Sequence, residues 1–244
     1  KWPAMPAAAA ICGMVSRAEV EAGEEKPLVG ATMFGVTTPC VTRVREILEA
    51  AGYEVLVFHA TGSGGRAMED LVRDGFIVGV LDITTTELAD ELVGGVLSAG
   101  PQRLEPIGAA GVPHVVVPGA LDMVNFGPAD TVPERFQSRN LYIHNPTVTL
   151  MRTTPEENAE LGRIMAEKLN RAKGPTVVAV PLKGVSAIDT DGGPFHDPEA
   201  DRAWLENLKA GLNSRIEVVE MDANINDPEF AQRVVDLFLE RMEG

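Results

Sequence analysis

Runs of strand length rich in Val, Ile and Leu recur along this chain at residues 28–34, 54–58, 76–81, 114–117, 176–180 and 216–219, with helical segments between them. This alternation constrains the fold more than any other feature. A strand with one wet face alternates apolar and polar residues, whereas these runs are near-continuous and need cover on both faces. Parallel strands joined by crossover helices provide that cover. The sequence therefore predicts an α/β fold, with a doubly wound, mostly parallel sheet and helices on both faces, Rossmann-like in plan.

The helix starts are marked by a capping residue followed by proline. Thr38 precedes Pro39, and Val41, Val44, Leu48 and Ala51 then form one apolar stripe that Gly52 ends. Thr154-Pro155-Glu156-Glu157 reads as a capping box, with Leu161, Ile164, Met165 and Leu169 on its buried face. Asp197-Pro198-Glu199 and Asp227-Pro228-Glu229 open two more helices, one leading to Trp204, Leu205 and Leu208, the other to Phe230, Val234, Leu237 and Phe238.

At 244 residues the chain can bury a large core. Its formal charge of −15 argues against nucleic acid as a partner, because a phosphate backbone is met by clustered Lys and Arg. Two cysteines make neither a disulfide framework nor a four-thiolate zinc site, and a cytoplasmic location is the default expectation. The apolar segment 4–15 is too short to span a bilayer, so no membrane partner is expected. We read residues 1–26 as an interdomain connection or helix and 27–244 as a single α/β domain, the second half of a longer two-domain protein. The lack of an initial methionine agrees with a piece of a longer chain. Homo-oligomerisation is expected for a protein of this class.

Two connections exceed what a sheet requires, residues 119–153 and 182–196, and each follows a strand. Both belong at the carboxyl edge, where open α/β sheets bind ligands in the crevice at which strand order reverses. If the first three strands step one way and the fourth returns beside the first, that crevice lies between strands one and four.

Several turns at this edge can hold an anion. The turn 35–40 enters a helix with Thr37 and Thr38, offering amides, hydroxyls and the positive end of a helix dipole; the competing reading is a capped turn that binds nothing. The turn after the second strand contains Gly62, Ser63, Gly64 and Gly65, glycine-dense enough for close backbone approach, but it is neither a Walker loop nor a GxGxxG fingerprint. His59, just before it, reads as a hydrogen-bonded structural histidine in preference to a base. Thr84 and Thr85 open the next helix. Hydroxyls and amides without clustered lysine suit a neutral or singly anionic polar ligand, or a nucleotide whose phosphates are held by backbone and magnesium. Asp82, Asp122 and Asp189 are candidate magnesium ligands through water, with a helix cap or surface acid as the competing role for each.

The first long connection carries Asn125, Arg139, His144, Asn145 and Arg152. Arginine binds carboxylate or phosphate bidentately, so Arg139 and Arg152 are candidates for a ligand's anionic end, with His144 as acid or base. In so acidic a chain, the competing reading pairs these arginines with its own acids. The second connection holds Gly192 and Gly193 in a stretch able to close over a bound molecule. Cys40, in the first turn of a helix, is a candidate nucleophile whose pKa a helix dipole would lower, or a small packed residue. No nucleophile elbow, HExxH or zinc-ligand spacing is present.

The blocks GATMFGVTTPCV, HATGSGGRAMEDL, DITTTELADELVGG, PGALDMVNFG, RNLYIHNPTVTLMRTTPEEN and DTDGGPFHDPEAD resemble the carboxyl-terminal half of an uncharacterised bacterial, fungal and plant family typified by a tomato tobamovirus-resistance protein. The resemblance covers nearly the whole chain from about residue 27. It implies a longer protein of two successive α/β domains, described as ATP-binding, whose plant member inhibits a viral replication protein by contact; no catalytic activity comes with it. The leading expectation is thus a nucleotide (ATP, with magnesium) or small-anion-binding domain with its ligand at the carboxyl edge. The alternatives are an enzyme acting on a small hydroxylated or carboxylated metabolite, and a protein-interaction scaffold.

Overall fold

The computed structural model describes residues 9, 12, 13 and 26–243. All but a few residues of the segment read as an interdomain connection or helix lie outside these. The described chain forms a parallel sheet of six strands, β1 (Leu28–Met33), β2 (Glu54–His59), β3 (Gly79–Thr84), β4 (His114–Gly119), β8 (Thr176–Pro181) and β9 (Glu217–Met221), in the order β2-β1-β3-β4-β8-β9. The central strands β3, β4 and β8 are buried at every residue, as their unbroken apolar runs require. Edge strands β2 and β9 keep exposed polar positions.

Helices cover both faces. On one, α1 (Thr38–Ala50) and α7 (Pro228–Met242) pack against each other and the sheet, with Val41, Val44, Leu48, Phe230, Val234 and Phe238 buried against Val29, Leu81 and Val115. On the other lie α2 (Ser63–Arg73), α3 (Glu87–Val93), α4 (Glu105–Ala110), α5 (Pro155–Leu169) and α6 (Pro198–Gly211). The capping box of α5 is present: Thr154 Oγ1 accepts the Glu157 amide, and the Glu157 carboxylate accepts the Thr154 amide. Asp197 caps α6 through the Ala200 amide. Asp227 stands at the start of α7, but its carboxylate accepts the Asn224 amide instead of a helix amide. Thr38 is the first residue of α1, not its cap, and its hydroxyl donates to the Phe34 carbonyl.

Two readings need correction. Strand order reverses between β1 and β3, not between the first and fourth strands, because β3 pairs directly with β1. Either direction of crossover buries β1, so apolar patterning does not choose between them. The third strand starts at Gly79, leaving Phe76 61% exposed.

Residues 119–153 are also more ordered than one strand-like piece. They hold β5 (Met123–Phe126), β6 (Leu141–Asn145) and β7 (Val148–Arg152), an antiparallel sheet of order β5-β7-β6 standing off the carboxyl edge. The pairing of β5 with β7 spans the intervening segment, Met123 opposite Arg152 and Phe126 opposite Thr149, so no local hairpin signal announces it.

Candidate functional site

Parallel pairing of β1 with β2 sets Met33 opposite His59, and the next residue, Phe34, stacks on the His59 ring with centroids 5.3 Å apart. Beside this pair the small sheet brings in Asn125 from β5, His144 and Asn145 from β6, and Val148 and Leu150 from β7. Together with Val36, Thr61, Val96, Leu97 and Thr147 they line a cleft of about 400 Å³ at the carboxyl edge. Its lining includes two histidines and no Asp, Glu, Lys or Arg. The structure thus brings Asn125, His144 and Asn145 together, and adds His59 to them.

Asn125 is anchored from behind. Its amide and Nδ2 donate to Asp90 Oδ1 and Oδ2 at 2.9 and 2.6 Å, leaving its buried Oδ1 without a hydrogen-bond partner. Burial pushes the Asp90 carboxyl up to about 7, although the Asn125 bonds oppose the shift. Asn145 Oδ1 accepts from the amide and hydroxyl of Thr147 at the tip of the β6–β7 hairpin.

The threonines at the reversal point are spent on the protein itself. Thr37 Oγ1 lies 2.8 Å from Thr84 Oγ1, the Thr84 amide donates to Thr32 Oγ1, and Thr32 Oγ1 donates to Asp82 Oδ1. Thr85 Oγ1 donates to the Val117 carbonyl. These hydroxyls close the crevice between β1 and β3.

The glycine-rich turn does cradle an anion, and that anion is Glu87. Its Oε1 accepts the Gly62 amide at 2.7 Å and the Gly65 amide at 3.2 Å. A Cβ on Gly65 would stand 2.2 Å from Glu87 Oε2, and one on Gly64 would stand 1.9 Å from the His59 carbonyl oxygen, so both positions require glycine. Gly62, at φ +84°, enters the helix from a conformation that favours glycine. Ser63 stays at the exposed start of α2.

Glu87 belongs to a buried ion cluster around Arg103, a fully buried residue that sequence reasoning missed. Arg103 Nε donates to Glu87 Oε2 at 2.6 Å, Nη1 and Nη2 bind the Asp82 carboxylate bidentately at 2.6 Å, and Nη1 reaches Glu69 Oε1 at 3.1 Å. Burial alone would raise the Asp82 carboxyl, but the Arg103 guanidinium holds it well below the usual carboxylate range. Asp82 is therefore committed to Arg103. Among the described residues no group of three or more His, Cys, Asp or Glu is arranged to hold a metal ion.

The two candidate arginines also carry internal acids. Arg139 forks onto the Glu157 carboxylate at 3.0 and 2.7 Å. Arg152, 4% exposed, donates to the Phe195 carbonyl and to Asp201 Oδ1 at 2.7 and 2.8 Å. Asp122 and Asp189 adjoin Arg152 and are fully buried, each with an Oδ1 lacking a hydrogen-bond partner, and Asp122 Oδ2 accepts from Ser186 Oγ at 2.8 Å. Burial, with the Asp189 charge adding to it, pushes Asp122 up to about 7. Gly192 and Gly193 turn the exposed loop before Phe195 and lie outside the cleft lining.

Cys40 fits the packed-residue reading and not the nucleophile reading. Its side chain packs in the core beneath α1 at 1% exposure, and burial pushes the thiol up to about 12 instead of down. Its amide is not free to donate to a ligand either, since it donates to Asn226 Oδ1. Here the cost of desolvating the thiolate outweighs the helix dipole.

No helix among the described residues is long and apolar enough to cross a membrane. In comparisons with known proteins, the chain is 60% identical over 238 residues to a UPF0261 protein of Clostridium tetani, covering 97% of this chain and 59% of that one. It is 52% identical over 231 residues to a UPF0261 protein of Rhizobium meliloti, covering 94% and 58%. The ToMV resistance protein Tm-1(GCR237) of Solanum lycopersicum is 53% identical over 241 residues, covering 96% of this chain and 32% of the tomato protein. The chain thus spans little more than half the length of these bacterial relatives. Among solved structures, a thioesterase domain from the curacin biosynthetic pathway covers 89% of this chain and 92% of its own at 13% identity and a TM-score of 0.41. The model of the uncharacterised protein family (UPF0261) C-terminal domain matches residues 26–242, and with these relatives it places the chain in the UPF0261 family.

Proposed function

We propose that this domain binds a small anionic organic ligand in the carboxyl-edge cleft, and that the ligand is a nucleotide. The observation that carries this reading is the cleft lining: in a chain of charge −15, about 400 Å³ of mostly apolar-walled space holds two histidines and two asparagines, with no carboxylate to repel an anion. Phe34, Val96, Leu97 and Phe126 offer an apolar seat of the kind a nucleobase occupies, while His59 and His144 supply donors for phosphate oxygens. The lining contains no metal-binding acid, so magnesium would arrive on the phosphates of the ligand.

Calorimetry with ATP, with and without magnesium, on this domain and on a longer relative tests the reading. Saturable binding that weakens in His144→Ala and His59→Ala supports it; heat of dilution alone at millimolar ATP in both proteins overturns the nucleotide assignment.

A second reading, turnover of a small hydroxylated or carboxylated metabolite, rests on His144 in the same cleft, since Cys40 is buried and Arg139 and Arg152 hold internal acids. A turnover found by metabolite screening and lost in His144→Ala would favour it. A protein-interaction scaffold would be favoured by a closed, dry carboxyl-edge pocket together with a large exposed apolar patch, whereas the cleft at this edge is open.

A further inference from the structure

A second cavity, of about 250 Å³, lies at the carboxyl ends of β4 and β8 against α6. Leu121, Val180, Val185, Trp204 and Leu205 make it apolar. Asp201, Trp204 and Leu205 line it together because positions three and four apart share a helix face. Its polar lining is unusual for so acidic a chain: Lys183, His196 and Arg202 against a single carboxylate, Asp201.

These charges are not equally available. Lys183 Nζ is paired with Asp222 Oδ2 at 2.8 Å, and His196 Nε2 stands 4.0 Å from Asp191 Oδ1. Arg202 makes no ion pair among the described residues, although the chain has 36 acids. Asp201 Oδ1 accepts from Arg152 Nη2 at 2.8 Å, so the one acid of the lining is already bound to a cation. Burial, together with the Asp189 charge, also raises its carboxyl above the ordinary carboxylate range.

We infer that this cavity is a binding site for a small amphipathic carboxylate, separate from the cleft, with the apolar body against Trp204 and Leu205 and the anionic head at Arg202. Charge complementarity selects the occupant: a neutral apolar molecule fills the same walls but leaves Arg202 unpartnered, and a cation meets Lys183 and Arg202.

The test uses Trp204 as reporter. The chain has two tryptophans, so Trp2→Phe leaves Trp204 as the only one. In that background, hexanoate is expected to change the fluorescence saturably, and 1-hexanol, with a similar apolar body, to bind about tenfold more weakly. Arg202→Ala should cost hexanoate about fivefold in affinity and leave hexanol unchanged. Saturating ATP should not displace hexanoate, because the two cavities share no lining residue. Absence of a saturable signal, equal affinity for the acid and the alcohol, an unaltered Arg202→Ala, or displacement by ATP would each overturn the inference. Arg202 is exposed, so its replacement leaves the fold intact and the result readable.

Discussion

Glu87 Oε1 sits 2.7 Å from the Gly62 amide, at the start of α2 where the glycine-rich turn would otherwise present its donors to a ligand. One carboxylate satisfies two amides there and pairs on its other oxygen with Arg103. Removing it takes one of three carboxylates from a buried guanidinium and leaves two buried amides without their acceptor. We expect Glu87→Ala to lower unfolding free energy by about 3–5 kcal/mol in urea titrations. A loss below about 1 kcal/mol would mean that the cluster rearranges around the gap.

The cleft should report on its histidines. Phe34→Ala removes the ring stacked on His59, at a cost of about 0.5–1.5 kcal/mol beyond the lost burial, and should weaken ATP binding while lowering the melting temperature by several degrees. His144 is exposed on β6, so His144→Ala should leave stability within about 0.5 kcal/mol of the parent while reducing affinity. Equal ATP affinity in both variants would place the nucleotide elsewhere.

Asp122 and Asp201 have carboxyls raised in the folded state to about 7 and about 8, chiefly by burial. Between the ordinary carboxylate range and these values the folded protein holds more protons than the unfolded chain, so stability is highest at the acid end and falls as pH rises through 7 and 8. Asp201→Asn removes one such group and should flatten the decline, leaving the variant more stable relative to the parent at pH 8 than at pH 5, as measured by urea midpoints. A parallel pH profile in parent and variant would show that Asp201 is ionised throughout.

Thiol labelling separates the two cysteines. Cys12 is exposed and Cys40 buried, so in Cys12→Ala no native thiol should react with an aromatic disulfide reagent, and one should appear on denaturation. Fast native labelling of that variant would contradict the packing beneath α1.

Much of the framework was legible because its signals are local. Unbroken apolar runs gave strands buried on both faces, and Thr154 with Glu157 gave the start of α5, since a capping box lies within a single turn. The reversal point was not legible, because apolar patterning is the same whichever side of β1 receives β3. Nor was the occupant of the glycine turn: Glu87 lies 25 residues beyond Gly62, and Arg103 reads as an ordinary loop arginine until folding buries it. Asn125, His144 and Asn145 were placed near a ligand from the length of their connection alone; their meeting with His59 depends on β5, whose partner β7 follows only after the whole intervening segment.

The linked hydroxyls of Thr32, Thr37 and Thr84 fill the notch where the strand order turns. A ligand in this cleft would therefore rest one layer further out, between residues of the β5–β7–β6 sheet and a wall of Phe34, Val36, His59, Thr61, Val96 and Leu97 from the parallel framework and its connections. Selectivity and stability are thereby separated along the chain. If the cleft is the recognition site, exposed residues of the β6–β7 hairpin such as His144, Asn145 and Thr147 can change without disturbing the buried strands or the Arg103 cluster.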